Sequence, residues 1–144
     1  MYTARDILRE KGTHVYSILP DATVYEALKK MDQHNIGALV VVEGEQMVGI
    51  ISERDYARKM ILRGRHSQDT AVRDIMTTPV VTVTPDKDLE ECMELFADKH
   101  TRHLAVVEGE QLAGIISIGD IVKGIIDHKE FVIEELEKYI KGHR

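Results

Sequence analysis

The chain of 144 residues lacks the features that define several classes of protein. With one cysteine it can form no internal disulfide, which fits a reducing compartment such as the cytoplasm. Its formal net charge of −6 argues against a general nucleic-acid-binding protein, because such proteins usually carry a basic surplus. No apolar run approaches the roughly 20 residues that cross a bilayer, and residues 1–10 mix acidic and basic side chains where a signal peptide would be apolar. The composition therefore predicts a globular protein that does not associate with membranes.

An internal repeat is the dominant feature of the sequence. When the chain is shifted by 65 residues, 15–55 aligns with the second half without a gap, and VEGEQMVGIIS at 42–52 matches VEGEQLAGIIS at 107–117. Upstream, the register slips by three residues, so that 5–7 matches 73–75. One copy of about 50 residues is too short to bury an adequate core by itself. We therefore expect the two copies to pack against each other.

Each copy reads as strand, helix, strand, strand, helix. In the first copy, strands are predicted at 15–19, 39–42 and 47–51, with helices beginning near Val24 and Ser52. The helix that begins near Val24 carries one apolar stripe at i, i+3, i+4 and i+7, and Thr23 and Glu26 lie at capping-box spacing at its start. These patterns predict an α+β fold of two β-α-β-β-α repeats, packed as a pseudo-twofold pair with helices at both termini.

The expected boundaries follow from the repeat. Residues 1–66 form the first repeat with an amino-terminal helix, 67–126 form the second repeat, and 127–144 form a carboxyl-terminal helix. The apolar residues of this last helix are available for packing against the pair or against a second chain. They are Phe131, Ile133, Leu136 and Ile140.

A serine and an aspartate three residues apart follow the last strand of each copy, as Ser52 with Asp55 and Ser117 with Asp120. One interpretation is structural, because a serine N-cap and an acidic residue at the third helical position form a capping box. The other is functional: a helix start after a strand favours anions, and a carboxylate there can accept both hydroxyls of a vicinal diol such as ribose. The two interpretations are compatible.

Four segments carry a resemblance to a known family: SILPDATVYEALKKM, GALVVVEGEQMVGIISERDYARK, DIMTTPVVTVTPDKDLEECM and TRHLAVVEGEQLAGIISIGDIV. They resemble the cystathionine β-synthase (CBS) domain, and residues 1–126 resemble a tandem CBS pair, or Bateman module, of the stand-alone bacterial or archaeal type. The resemblance implies a non-enzymatic regulatory module that requires no cofactor. It also implies that adenosyl compounds (AMP, ADP, ATP, S-adenosylmethionine or NAD-type dinucleotides) bind in the clefts between the repeats, and that the chain forms a homodimer.

The resemblance also implies residue roles. The two aspartates hold ribose hydroxyls and the two serines lie beside ribose and phosphate, while a hydroxyl residue on each first strand flanks the base. A site takes its first strand from one repeat and its aspartate from the other. Residues that begin the second strand approach phosphate, and they differ between copies. The matching residues are Ser17, Gly37, Ala38, Ser52, Arg54, Asp55, Thr82, Arg102, His103, Ser117 and Asp120. We expect Ser17 to pair with Asp120 and Thr82 with Asp55, and the site with Asp55, Arg54, Arg102 and His103 to prefer phosphates.

Two alternatives to ligand sensing stay open. One is an interaction scaffold whose capping boxes bind nothing, acting on a regulated protein that the sequence does not identify. The other is a nucleic-acid binder that uses a local basic strip. That strip comprises Arg54, Arg58, Lys59, Arg63 and Arg65. No metal-ligand spacing or catalytic set is present, and Cys92 falls on an apolar helical stripe where burial is expected.

Overall fold

Each repeat folds around its own three-stranded sheet. The computed structural model describes residues 2–142, and these divide into two units. The first-repeat unit is His14–Val80. The second-repeat unit combines residues 2–13 with 81–142.

The first-repeat unit has strand order β1-β2-β3. A short β1 (Ser17–Ile18) runs parallel to β2 (Ala38–Glu43), and α2 (Val24–His34) makes the crossover between them. Strand β3 (Gln46–Ser52) returns antiparallel to β2 and leads into α3 (Glu53–Lys59), a 3-10 turn at Ile61–Arg63 and α4 (Val72–Ile75).

The second-repeat unit has the same order, β4-β5-β6, over β4 (Thr82–Val83), β5 (His103–Glu108) and β6 (Gln111–Ser117). Helix α5 (Leu89–Lys99) makes the crossover, and the unit includes α1 (Ala4–Lys11) and α6 (Ile118–Gly142). Both antiparallel pairs shift register at the same place in the repeat, between Val41 and Val42 and between Val106 and Val107. The α+β repeat predicted from the sequence is confirmed.

The predicted apolar stripes form the cores. Val24, Ala27 and Met31 on α2 are at most 3% exposed and pack against the buried face of β2 and β3. On α5, Leu89, Cys92 and Phe96 serve the second core. Cys92 is buried as expected, and burial raises the pKa of its thiol to about 11. The thiol is therefore protonated near neutral pH and poorly reactive.

Two features differ from the sequence-based boundaries. Helix α1, which we grouped with the first repeat, belongs to the second-repeat unit, while α4 belongs to the first-repeat unit. The helix after β6 and the expected carboxyl-terminal helix are one continuous element, α6. In the first copy, α3 ends at Lys59 and the following 3-10 turn ends at Gly64 in the left-handed conformation, whereas α6 continues past the equivalent position in the second copy, Lys129.

Equivalent glycines let α1 and α4 approach the sheets. A Cβ atom on Gly49 would lie 2.6 Å from Met76 Sδ, and one on Gly114 would lie 2.6 Å from Leu8 Cδ2. Ordinary carbon contacts are about 3.5–4.0 Å, so any side chain at either glycine would displace its neighbour. This close packing explains why each copy places a glycine three residues before the end of its last strand.

Candidate functional site

The aspartate of the first repeat is held by its own strand end. Ser52 ends β3 and caps α3, where Asp55 N–H donates to Ser52 Oγ at 3.2 Å. In return, Asp55 Oδ2 accepts from Ser52 N–H at 2.9 Å and lies 3.1 Å from Ser52 Oγ. The capping box predicted from the serine–aspartate spacing is confirmed here. It fixes the carboxylate at the point where strand becomes helix.

The second oxygen of Asp55 is also occupied. Thr77 Oγ1 donates to Asp55 Oδ1 at 2.9 Å, and Lys59 Nζ lies 3.0 Å from the same oxygen. Lys59 also donates to the carbonyl of Ile75 at 2.9 Å, which ties α3 to α4. Both carboxylate oxygens of Asp55 therefore have partners, and the residue is only 7% exposed.

Asp120 occupies the equivalent place in the second-repeat unit and is less enclosed. Its Oδ2 accepts from Ser117 N–H at 2.9 Å and from Lys11 Nζ at 2.7 Å, while Asp120 N–H donates to Ser117 Oγ at 3.1 Å. Among the described residues, these donors all bond to Oδ2 of the carboxylate, and the side chain is 25% exposed. Oδ1 is therefore available to accept from a bound molecule.

Lys11 replaces Thr77 in this arrangement. The carbonyl of Ile50 on β3 accepts from Thr77 N–H at 2.7 Å, whereas the carbonyl of the equivalent Ile115 on β6 accepts from Lys11 Nζ at 2.9 Å. The segment after α4 is extended and pairs with β3. Helix α1 is longer than α4, so a lysine near its end reaches the carbonyl and the carboxylate that the threonine reaches in the first repeat.

The charge state of Asp120 reflects two opposing effects. Burial alone would raise the pKa of Asp120, but the hydrogen bonds from Lys11 and Ser117, with the Lys11 charge, lower the pKa below its usual value. The carboxylate is therefore ionised at neutral pH and keeps its full charge for a hydrogen-bonding ligand.

A pH dependence follows from the lowered pKa of Asp120. The ionised Asp120 carboxylate, with its hydrogen bonds, adds to the free energy of unfolding. This contribution is fully present above the unfolded-state pKa of about 3.9, and it is lost as the pH falls through the lower folded-state pKa. We expect Lys11→Met to move the folded-state pKa of Asp120 upward, as followed by carboxyl NMR titration. Lys99→Met, on exposed α5, serves as the control and should leave it unchanged. An identical titration of Asp120 in the Lys11 variant would contradict this assignment.

The other predicted residues of the first copy lie at two strand ends. Gly37 and Ala38 lie beside Ser52 and Glu53, because Ala38 pairs with Ser52 and the Gly37 carbonyl accepts from Glu53 N–H at 3.0 Å. Arg54 follows on α3 and is partly buried. Ser17 lies on β1, where its carbonyl accepts from Lys30 Nζ at 2.5 Å.

In the second-repeat unit, Arg102 and His103 lie beside Ser117 and the start of α6. His103 pairs with Ser117, and the carbonyl of Arg102 accepts from Ile118 N–H at 2.9 Å. The Arg102 side chain is exposed, and Thr82 is exposed on the edge strand β4. The structure thus brings Arg102 and His103 together with the serine and aspartate of their own repeat. Their expected cooperation with Asp55 stays a prediction.

The sequence interpretation missed three residues of this constellation: Lys11, Lys59 and Thr77. Lys59 had a usable signal, because a lysine four residues after an aspartate on a helix faces it. Lys11 and Thr77 had none, since neither is near its aspartate in sequence. Because Lys59 is bound to Asp55, it is already partly neutralised within the basic strip proposed for nucleic acid.

A cavity of about 280 Å³ lies elsewhere in the second-repeat unit, against α5 and α6. Its lining includes Tyr2, Leu89 and His128 and none of the predicted site residues. Over the described residues, there is no group of three or more histidine, cysteine, aspartate or glutamate side chains that could hold a metal ion. Within 2–142, no helix combines the length and apolar character needed to span a membrane.

These observations define a class: a protein of two like α+β repeats, each presenting a serine-capped aspartate at the end of its last strand. The family model for the CBS domain matches residues 4–62 and 72–127. The chain therefore belongs to the CBS-domain family and carries two CBS domains in tandem, the arrangement of a regulatory module.

Similar proteins support this assignment. The mitochondrial CBS domain-containing protein CBSX3 of Arabidopsis thaliana is 42% identical over 149 residues, covering 97% of this chain and 72% of the plant protein. A solved protein with CBS domains from Burkholderia ambifaria is 44% identical, with a TM-score of 0.83, over 87% of this chain and 94% of its own. A hexameric CBS-CP12 protein from bloom-forming cyanobacteria is 32% identical, with a TM-score of 0.75, over 83% of this chain and 70% of its own.

Proposed function

We propose that this tandem CBS protein senses an adenosine-containing ligand, such as AMP, ADP, ATP, S-adenosylmethionine or an NAD-type dinucleotide. The main support is the Asp120 carboxylate. Ser117 and Lys11 hold one of its oxygens, and the other oxygen is available and partly exposed. A ribose presents two adjacent hydroxyl donors, and a fixed, ionised carboxylate is the acceptor that they match.

The surroundings of Asp120 suit a nucleotide more than a neutral sugar. Arg102, exposed beside the start of α6, can attract a phosphate or another anionic group. Because α6 begins at Ile118, its amino terminus also favours negative charge. Thr82 and Ser17 are the proposed base-flanking residues, and the pairing of Ser17 with Asp120 and of Thr82 with Asp55 stays a prediction.

The regulatory output would come from a partner. Binding that favours one arrangement of the repeats or subunits can transmit the ligand signal to a regulated protein. We further propose that the chain forms a homodimer and acts in the cytoplasm. The hexameric relative illustrates that proteins with CBS domains can assemble further.

A ligand panel tests this function. Thermal unfolding and isothermal titration calorimetry with AMP, ATP, S-adenosylmethionine and NAD are expected to identify at least one binder. A ligand at 100 times its Kd should add about 2.7 kcal/mol to the free energy of unfolding. Inosine and guanosine monophosphates control for selectivity towards the base. If no adenosyl compound shifts the unfolding temperature or releases heat, the interaction-scaffold alternative replaces ligand sensing.

A further inference from the structure

The cavity of about 280 Å³ in the second-repeat unit lies where the amino-terminal segment meets α5 and α6. None of the residues to which we assign adenosyl binding lines it. Pockets that bind small molecules have volumes of about 300–1,000 Å³, so this cavity matches a ligand at the small end of that range. It therefore has room for one small organic molecule.

Local packing fixes the walls of this cavity. Tyr2 precedes α1, and its carbonyl accepts from Leu89 N–H at 3.2 Å, which joins the amino-terminal segment to the start of α5. Gly124 brings α6 against the same two residues, since a Cβ there would lie 3.2 Å from both Leu89 Cδ1 and Tyr2 Cε1. Further along α6, Ile125 and His128 line the cavity. The cavity is therefore bounded by packed helices and is already formed without a ligand.

Some of the lining residues supply apolar or aromatic surface. Leu89 is 5% exposed, and Ile125 packs against the core of the unit. The rings of Tyr2 and His128 lie with their centroids 5.6 Å apart and their planes inclined by 30°. These side chains can cover the apolar body of a ligand, and an aromatic face also attracts a cation because its π-system is negative.

Carboxylates outnumber ammonium groups among the described residues that line the cavity. Asp88 and Glu90 bring negative charge, against the ammonium group of Lys129. The amino terminus of α5 would by itself favour an anion. Asp88 caps that terminus, however, because its Oδ1 accepts from Glu91 N–H at 2.8 Å, and both Glu90 and Glu91 lie in the first turn. The charge around the cavity therefore favours a cation.

The Tyr2 hydroxyl indicates the same sign of potential. Burial, followed by nearby carboxylates, raises the pKa of Tyr2 well above its usual value. These carboxylates belong to Glu10, Asp6 and Asp127. Glu10 lies near the hydroxyl without the geometry of a hydrogen bond, so over the described part of the chain this buried hydroxyl has no hydrogen-bond partner. A cation beside Tyr2 would therefore be attracted by the ring and by the carboxylates around it.

We propose that this cavity binds a small organic cation, an amine whose aromatic or apolar body packs against Tyr2 and Leu89 and whose ammonium group lies near Glu90. Glu90 and Lys129 are exposed, so the ammonium group keeps part of its hydration and avoids most of the cost of burying a charge. Asp120 is outside the cavity lining, and Asp120→Asn should leave amine binding unchanged. The failure of this proposal would therefore leave adenosyl binding untouched.

Methyl NMR titration of the full chain tests the place and the charge of the site. The probe is phenethylamine, a cation with an aromatic body, and 3-phenylpropionate is the matched anion. We expect phenethylamine to bind saturably below about 10 mM, as a ligand of this size can, and to shift the methyl signals of Leu89 and Ile125. The signals of Ile50 and Ile51 in the first-repeat unit should not move. Shifts that do not saturate, or equally tight binding of the anion, would overturn the proposal.

Charge variants of the lining are expected to act in opposite directions. Glu90→Gln should raise the dissociation constant of phenethylamine about two- to fivefold, and Lys129→Gln should lower it by a similar factor, as expected for exposed charges. Glu94→Gln on α5 and Lys123→Gln on α6 change exposed residues outside the cavity lining and should have no effect. Melting temperatures confirm that each variant folds. Unchanged binding in Glu90→Gln, or weaker binding in Lys129→Gln, would contradict a cation at this position.

Discussion

Replacing Asp120 by asparagine is expected to weaken adenosyl-ligand binding about 10- to 100-fold, whereas Asp55→Asn should weaken it less than about threefold. A hydrogen bond to a charged group contributes about 1.5–3 kcal/mol, and 1.4 kcal/mol corresponds to tenfold in affinity. Asp120 keeps one oxygen available, but both oxygens of Asp55 already accept hydrogen bonds or pair with Lys59. Asparagine has nearly the same shape and keeps one acceptor for the capping bond, so the difference reports on the ligand.

The measurement is calorimetric titration with whichever member of the ligand panel binds the wild type. Melting temperatures of both variants control for folding, and Asp55→Asn is expected to be the less stable because it leaves Lys59 without its buried partner. Equal losses of affinity, or a larger loss for the Asp55 variant, would contradict the asymmetry that we infer. Unchanged binding in both variants would instead contradict the ribose role of the two aspartates.

Releasing Asp55 provides the reverse test within the same experiment. Thr77→Val removes one donor to Asp55 Oδ1 without a large change in shape. If the occupied carboxylate limits the first-repeat site, this variant should gain affinity or a second binding event per chain. A gain would show that Thr77 and Lys59 block Asp55 from a ligand. No gain would show that the first-repeat site lacks other residues that ligand binding needs.

Local patterns were enough to predict most of the repeat. The serine–aspartate spacing predicted a capping box in each repeat, and in both repeats the structure has the reciprocal pair of hydrogen bonds. The stripe of Val24, Ala27 and Met31 predicted one buried helix face. Each of these features is decided by residues within about two turns of helix, so residues near each other in sequence are also the interacting partners.

Features decided at long range could not be predicted in this way. Lys11 and Asp120 lie 109 positions apart, so no local pattern joins them. The matching Arg-Asp-Ile segments at 5–7 and 73–75 make α1 and α4 resemble each other. Helix α1 nevertheless belongs to the second-repeat unit and α4 to the first-repeat unit. Similarly, α6 runs on past the end of the second repeat, whereas the equivalent α3 of the first repeat ends at Lys59, and no local pattern in the sequence predicts this difference.

Replacing Gly114 by valine is expected to lower the free energy of unfolding by about 1–3 kcal/mol, as overpacking of a filled core does. The direction is informative because valine has the higher intrinsic preference for a strand, which by itself would stabilise β6. The opposing cost is steric: a Cβ at this position would lie 2.6 Å and 3.1 Å from the two methyl carbons of Leu8, which is 5% exposed. Urea denaturation at neutral pH measures the difference, and Gly114→Ala is the milder variant if valine prevents folding.

Gly119→Ala is the matched control. The nearest atom to a Cβ at Gly119 is Ser117 Oγ at 3.7 Å, so alanine fits and should be neutral or stabilising through its better helix propensity. Leu8→Ala alone should cost about 2–5 kcal/mol, but less when Gly114→Val fills the space, and this coupling in a double-mutant cycle identifies the contact. Because displacement of α1 would also draw Lys11 away from Asp120, the pKa of Asp120 should rise in the Gly114 variant. A stable Gly114→Val protein with strictly additive effects would show that the glycine does not set the approach of α1, and the link between this packing and the candidate site would fail with it.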